Sequence, residues 1–178
     1  MALATAAVQL PPMAWNCHMH SFDPAVHPFK PTRHYTPEPA PITAFLNNTV
    51  AQNAILVQAT IEDGHAGLLD GLDQARVLAP DRTVLGIFCG ALHRRSPGNL
   101  PAMRPIIEAF ADAAPDALLW GSDWPHVNSS AVGLTPSPPL RGVDTQAELG
   151  LLREWLTDEQ WERMLVVNPA RAFGVDGK

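Results

Sequence analysis

The sequence predicts an α/β fold: an open parallel sheet of about four strands with flanking helices. Two observations predict it. Four short apolar runs of strand length alternate with stretches of helical spacing, the pattern of βαβ units. The clearest of these runs, Ala54-Ile-Leu-Val-Gln-Ala-Thr60, is apolar almost throughout, as suits a parallel strand covered on both faces. The 178 residues are read as one domain, residues 13–178, behind a loose N-terminal tail, residues 1–12.

In chain order, Met13-Ala-Trp-Asn-Cys17 reads as a short buried strand that ends at His18-Met19-His20. The stretch Ser21–Pro41 holds six prolines and cannot be regular structure. Its aromatic residues Phe22, Phe29 and Tyr35 predict an ordered loop. Ile42, Phe45, Leu46, Thr49 and Val50 have helical spacing and place a helix over Ile42–Asn53. Ala54–Thr60 is the second strand. After the turn at Asp63-Gly64 comes a helix over His65–Leu78, stopped at Ala79-Pro80. Arg82–Cys89 is the third strand, and the turn Ser96-Pro97-Gly98 precedes a helix over Pro101–Ala114. Ala117–Ser122 is the fourth strand and runs straight into Asp123. Beyond a proline-rich loop to Leu140 come helices over Thr145–Leu156 and Asp158–Leu165. The latter is opened by a Thr157-x-x-Gln160 capping box. Asn168-Pro169 has the N-cap and N1 signature of a last short helix.

Composition narrows the function. A net charge of −6 argues against nucleic acid as a partner, because phosphate contacts need clustered Lys and Arg. Hydrophobic residues at 46% and charged residues at 17% are those of a globular protein, with no membrane partner expected. Two cysteines make no disulfide framework, and the first twelve residues lack the basic start of a secretory signal, so a cytoplasmic location is expected. The 18 prolines predict long irregular loops.

His18-x-His20 closes the first strand. Side chains two apart on a strand project to one face, so both imidazoles can reach one metal ion or one substrate. Ligands in parallel α/β folds gather at the carboxyl ends of strands. A chain with seven histidines produces such a pair by chance, so the motif gains weight only from its company. That company is Gly121-Ser122-Asp123-Trp124-Pro125-His126. A carboxylate closing an apolar strand is costly without a partner; the plain alternative is an Asp that caps the next loop. Pro125 cannot continue a ladder and predicts an extended Trp124 that fixes the direction of Asp123. Gln58 on the second strand and His126 are candidate substrate contacts, weighed against a core amide and a loop residue. His65 and His93 read as surface residues, His27 and His34 as part of the proline-rich loop. Neither Cys17 nor Cys89 has a base spaced beside it, which argues against a thiol nucleophile.

Together these motifs resemble the amidohydrolase-related metal-dependent hydrolases, and more narrowly the 2-pyrone-4,6-dicarboxylate lactonase group. Arg33-His-Tyr35-Thr-Pro37, Leu56-Val-Gln58-Ala and Leu165-Val-Val-Asn168-Pro169-Ala-Arg171 are similar to stretches of that group. The resemblance implies a (β/α)8 TIM barrel with its site on the carboxyl face. It puts His18, His20 and Asp123 at site positions of the first and eighth strands. Length departs from the pattern, since such a barrel takes about 250 residues. Arg82–Phe88 reads like the family's third strand and Gly90–Ser96 like the segment around its seventh, with the join between Ile87 and Gly90. The expectation is therefore an incomplete TIM-barrel-like fold, internally truncated, without strands four to six, the family's later histidine and its mid-barrel arginines. Arg94, or its neighbour Arg95, is left as the candidate clamp for a substrate carboxylate; the alternative is an exposed, solvated pair.

What the resemblance implies chemically is hydrolysis of a lactone or related cyclic ester of a carboxylated small molecule, with Asp123 as general base. His18 and His20 would either join Asp123 in holding a divalent zinc ion or act without metal as donors to the scissile carbonyl. Arg94 would hold the substrate carboxylate through a bidentate contact. Two other readings use the same residues: an inactive truncated remnant of such a hydrolase, and a zinc-dependent decarboxylase of the same superfamily. A barrel without its middle strands has open sheet edges, so a homo-oligomer formed through an exposed edge is expected.

Overall fold

The structure, a computed structural model, describes residues 7–62, 64, 66–78, 84–87 and 99–175. Within the span read as one domain it divides into two compact units. One is Trp15–Ala91 with Gly121–Arg141; the other is Met1–Ala14 with Leu92–Trp120 and Gly142–Lys178. Among the described residues no helix is long and apolar enough to cross a membrane.

The first unit holds the sheet. Strands β1 (Trp15–Met19), β2 (Asn53–Val57) and β3 (Val84–Ile87) are parallel and lie in the order β1-β2-β3. Helix α1 (Ile42–Asn48) falls between β1 and β2 in the chain, and α2 (Ala66–Leu78) between β2 and β3, so the predicted alternation is present. Ile55 and Leu56 at the centre of β2 are fully buried, each burial contributing about 1.5–3 kcal/mol. Helix α1 stops at Asn48, short of the expected end at Asn53. Thr49 turns to extended backbone, ψ 139°, and its N–H closes the last turn on the Phe45 carbonyl.

The sheet departs from the four strands expected. The stretch 117–122 makes no strand, and the chain reaches β1 only through a single parallel bridge between Met19 and Trp124. Two backbone bonds accompany it, from Asp123 N to His18 O and from His20 N to Trp124 O, each 2.8 Å. The ladder cannot propagate because Asp123 has φ 54°, outside the β region. Strand β1 thus has β2 on one side and the Asp123–Trp124 segment on the other, with the last strand reduced to a bridge.

Strand β1 is also irregular. Asn16 pairs with Ala54 but Met19 with Leu56, so three steps along β1 match two along β2. The extra residue is a bulge across Cys17 and His18, a device that re-aims side chains beside a site.

The loop Ser21–Pro41 is ordered, as its aromatics predicted. Phe22 is buried with Ala40, Ala59, Ile61 and Val127, and its ring meets Phe29 edge-on at 5.6 Å. Phe22 and Ala40 exchange both backbone bonds, 3.0 and 2.9 Å.

The second unit is helical. A 3₁₀ turn, Leu100–Met103, leads into α3 (Arg104–Ala113), followed by α4 (Thr145–Trp155), α5 (Asp158–Glu162), a π turn over Arg163–Val167 and α6 (Asn168–Phe173). Ile107 of α3 packs with Leu149 and Leu152 of α4 and with Trp161 and Leu165. Val8 and Leu10, in the tail expected to be loose, pack on this cluster, and Val8 N donates to Gln146 Oε1 at 3.2 Å. The predicted capping box is present: Gln160 N donates to Thr157 Oγ1 at 3.2 Å and Thr157 N to Gln160 Oε1 at 3.0 Å. Asn168 is not the N-cap the sequence suggested. Its backbone is already helical, φ −65° and ψ −44°, so the π turn runs into α6 without a break. Its side chain instead donates to Pro115 O and Leu118 O, at 2.9 and 3.0 Å.

Candidate active site

Three side chains converge at the carboxyl end of β1. His18 Nε2 lies 3.2 Å from His20 Nε2 and 3.2 Å from Asp123 Oδ1, and His20 Nε2 lies 3.3 Å from the same oxygen. The two rings meet edge-on with centroids 5.0 Å apart. Asp123 is 2% exposed and His18 5%, while His20 is half-buried. The sequence singled out these three, and the structure brings them together. Met19, between the histidines, turns the other way into a core with Ile42, Phe45 and Leu56.

His20 has a fixed tautomer. Its Nδ1 lies 2.9 Å from the Val57 carbonyl, which can only accept, so Nδ1 carries the hydrogen. In the neutral ring Nε2 then presents its lone pair to His18 and Asp123.

The segment carrying Asp123 is held by residues that the sequence analysis did not single out. Asn16 Nδ2 donates to Ser122 Oγ at 2.7 Å, and Asn16 Oδ1 accepts from Ser122 N at 2.9 Å and from His18 N at 3.3 Å. Ser122 Oγ in turn accepts from Trp124 N at 3.1 Å. One buried amide thus ties both halves of the site together. Gly121 lets the segment lie directly on His18, where a Cβ would stand 2.4 Å from the His18 Cβ. Asp123 is aimed by these contacts and by its left-handed backbone, φ 54°, and Trp124 after it bridges Met19 of β1. His126 N closes a turn on Asp123 O at 2.8 Å, and the Trp124–Pro125 peptide inside it is cis. Trp124 anchors the turn, its ring 5.6 Å from that of Phe45.

Of the substrate-contact candidates, His126 adjoins the site through that turn. Gln58 is buried at the end of β2 and spends its amide nitrogen on Ala59 O at 3.1 Å and Glu62 Oε2 at 2.9 Å. Arg94, with Arg95, lies outside the described residues, as do His65 and His93. Glu62, which the sequence analysis passed over, is 4% exposed. Burial pushes its carboxyl above the usual carboxylate range, against the amide of Gln58 and the positive fields of His27 and His20. A buried acidic residue just past a strand end was the only signal for it.

The donor set fits a divalent metal. Neighbouring ligand atoms of a four-coordinate zinc with bonds of 2.0–2.1 Å lie about 3.3–3.4 Å apart, close to the three sides measured here. The three ligand atoms lie within 4.8 Å of one another, and two imidazoles with one carboxylate are a catalytic zinc set. The Nδ1–H of His20 on a backbone carbonyl is the outer contact that orients a ligating imidazole. A buried carboxylate also gains from a cation held against it.

The sequence model of the amidohydrolase family matches residues 64–175, a span that includes Asp123 but not the two histidines. Over 72 residues the chain is 40% identical to the 4-sulfomuconolactone hydrolase of Rhizobium radiobacter, covering 40% of this chain and 22% of that protein. Over 83 residues it is 35% identical to the 4-sulfomuconolactone hydrolase of Hydrogenophaga intermedia, covering 47% of this chain and 25% of that one. The chain spans about a quarter of the length of the curated relatives it matches. No solved structure matches it.

Proposed function

The chain belongs to the amidohydrolase family, and from that premise we propose that it is a hydrolase opening a lactone or related cyclic ester of a small carboxylated molecule. Its site would lie at the carboxyl end of an incomplete (β/α)8 barrel. The observation that supports this most is the meeting of His18, His20 and Asp123 around one point. Both relatives are named for a lactone, 4-sulfomuconolactone, whose substituent is anionic like the carboxylate proposed here.

Asp123 takes the proton of the attacking water as its oxygen adds to the lactone carbonyl carbon. When the ring C–O bond breaks, the same carboxyl returns that proton to the departing oxygen. His18, His20 and Asp123 would hold a divalent ion such as zinc, which when bound polarises a carbonyl and acidifies water. His20, its Nδ1–H fixed on Val57 O, keeps its Nε2 lone pair turned into the site. The burial of Asp123 excludes bulk water and strengthens each charge interaction there. Arg94 is the residue proposed to clamp the substrate carboxylate, and His126 is a further proposed contact.

The test is turnover of a panel of carboxylated and sulfonated lactones by the purified chain, with and without zinc. Asp123→Asn is expected to lower kcat by about 10²–10⁴-fold. A second reading, an inactive remnant, is favoured by the sheet of three strands among the described residues. A folded chain without turnover in any metal condition supports that reading and removes the first.

A further inference from the structure

Beyond β2, Gln58 and Glu62 form a buried pair with an unusual deficit. The Gln58 amide nitrogen donates to Ala59 O and to Glu62 Oε2, which fixes which end of the amide is nitrogen. Two oxygens are then left over, Gln58 Oε1 and Glu62 Oε1, both buried and both without a hydrogen-bond partner. A buried polar atom left without a partner is costly, and two side by side are doubly so. Glu62 Oε1 lies close against α2, where a Cβ on Gly67 would stand 2.5 Å from it, so the absence of a side chain at Gly67 makes room for the carboxyl.

We propose that Glu62 is a neutral carboxylic acid whose O–H donates to Gln58 Oε1, closing a two-bond acid–amide ring with the N–H···O bond already present. One proton then satisfies both orphaned oxygens. Burial favours the same state by pushing the Glu62 carboxyl up, against the Gln58 amide, His27 and His20. Lys30 is tied elsewhere, its Nζ on Thr60 O, and Asp70 of α2 is held by His27 Nε2 at 3.1 Å.

The ring also bears on the histidines. Val57, whose carbonyl fixes His20 Nδ1, immediately precedes Gln58. Glu62 is therefore a positioning residue for His20; this second half rests on the proposal that His18, His20 and Asp123 are the working centre.

A carboxyl with a raised folded pKa binds its proton more tightly folded than unfolded. Its contribution to stability is whole below the ordinary value of 4.5 and is lost as pH rises through the folded value. Glu62→Gln replaces the acid with an amide that donates to Gln58 Oε1 at every pH. The thermal midpoints of wild type and Glu62→Gln are expected to coincide near pH 4.5, with the variant rising above wild type as pH increases. The infrared spectrum of wild type at neutral pH should carry a protonated-carboxyl band that Glu62→Gln lacks. Only carboxylate bands, or a variant less stable than wild type at high pH, overturns the shared proton. Neither readout depends on turnover, so each stands apart from the fate of the lactonase reading. For positioning, zinc affinity should fall about 10–100-fold in Glu62→Ala and be restored in Glu62→Gln. Gln58→Met, which also breaks the ring, replaces Glu62→Ala if that variant does not fold. Equal zinc affinity in the ring-broken variant and in Glu62→Gln overturns the positioning role.

Discussion

A Cβ on Gly121 would stand 2.4 Å from the Cβ of His18 and 2.7 Å from its backbone nitrogen. The obstacle is strand backbone, which cannot swing aside as a side-chain tip can. Only glycine allows the Asp123 segment to approach β1 this closely. Gly121→Ala is expected to cost at least about 1–3 kcal/mol and to pull His18 away from Asp123. Calorimetry and zinc titration read the two effects. An alanine variant with wild-type midpoint and zinc affinity would refute the close approach.

Asn16 is expected to matter more than any residue that touches it. Asn16→Ala removes the acceptor of Ser122 N and His18 N together with the donor to Ser122 Oγ. Ser122→Ala leaves the bond from Ser122 N to Asn16 intact. Each buried group left unpaired costs about 1–3 kcal/mol, so urea unfolding should rank Asn16→Ala as the more destabilised. The reverse order would show that Ser122, not Asn16, ties the segment to β1.

The sequence carried the three site residues because their signals are local. His18-x-His20 and Asp123 are polar groups at the ends of apolar runs, and each needs a partner wherever the chain goes. The clamp was not legible, because Asn16 and Ser122 are 106 positions apart and either alone is an ordinary polar residue. Nor was the bulge in β1, which depends on the register against β2 rather than on any residue type. The fourth strand failed for a related reason. Ala117–Ser122 has strand composition, but the left-handed Asp123 ends any ladder that would have formed. Asn168-Pro169 looked like a helix start because Asn is a strong N-cap in isolation. Tertiary demand overrode it, since its amide was needed by two carbonyls 50 and 53 residues away.

That demand gives a prediction with a pH signature. Asn168 is 1% exposed, and both hydrogens of its amide point at carbonyl oxygens. Asn168→Asp keeps the shape but sets a carboxylate against Pro115 O and Leu118 O. The cost should be about 2 kcal/mol or more at neutral pH. Part of it should return on acidification, because the introduced carboxyl, once protonated, can donate to one carbonyl. The variant's stability deficit, followed by urea unfolding, should therefore shrink as pH falls; a deficit that does not change with pH would mean the two carbonyls find other donors.

Zinc binding is the measurement that bears most directly on the centre. If His18, His20 and Asp123 hold the ion, zinc stabilises the folded chain by mass action, about 2.7 kcal/mol when free zinc is 100 times its Kd. The thermal midpoint should rise with zinc, and the rise should fade on acidification because imidazole must be unprotonated to ligate. His20→Ala and Asp123→Asn each remove one corner of a triangle whose edges are 3.2, 3.2 and 3.3 Å, and each should abolish most of the shift. Asn16→Ala leaves all three ligands in place and loosens only their support, so it should keep a reduced shift. A rise that survives both ligand variants would put the zinc elsewhere on the chain. No rise in wild type would leave direct donation to the carbonyl to His18, since the neutral His20 offers only a lone pair at Nε2, with Asp123 still the carboxylate beside them.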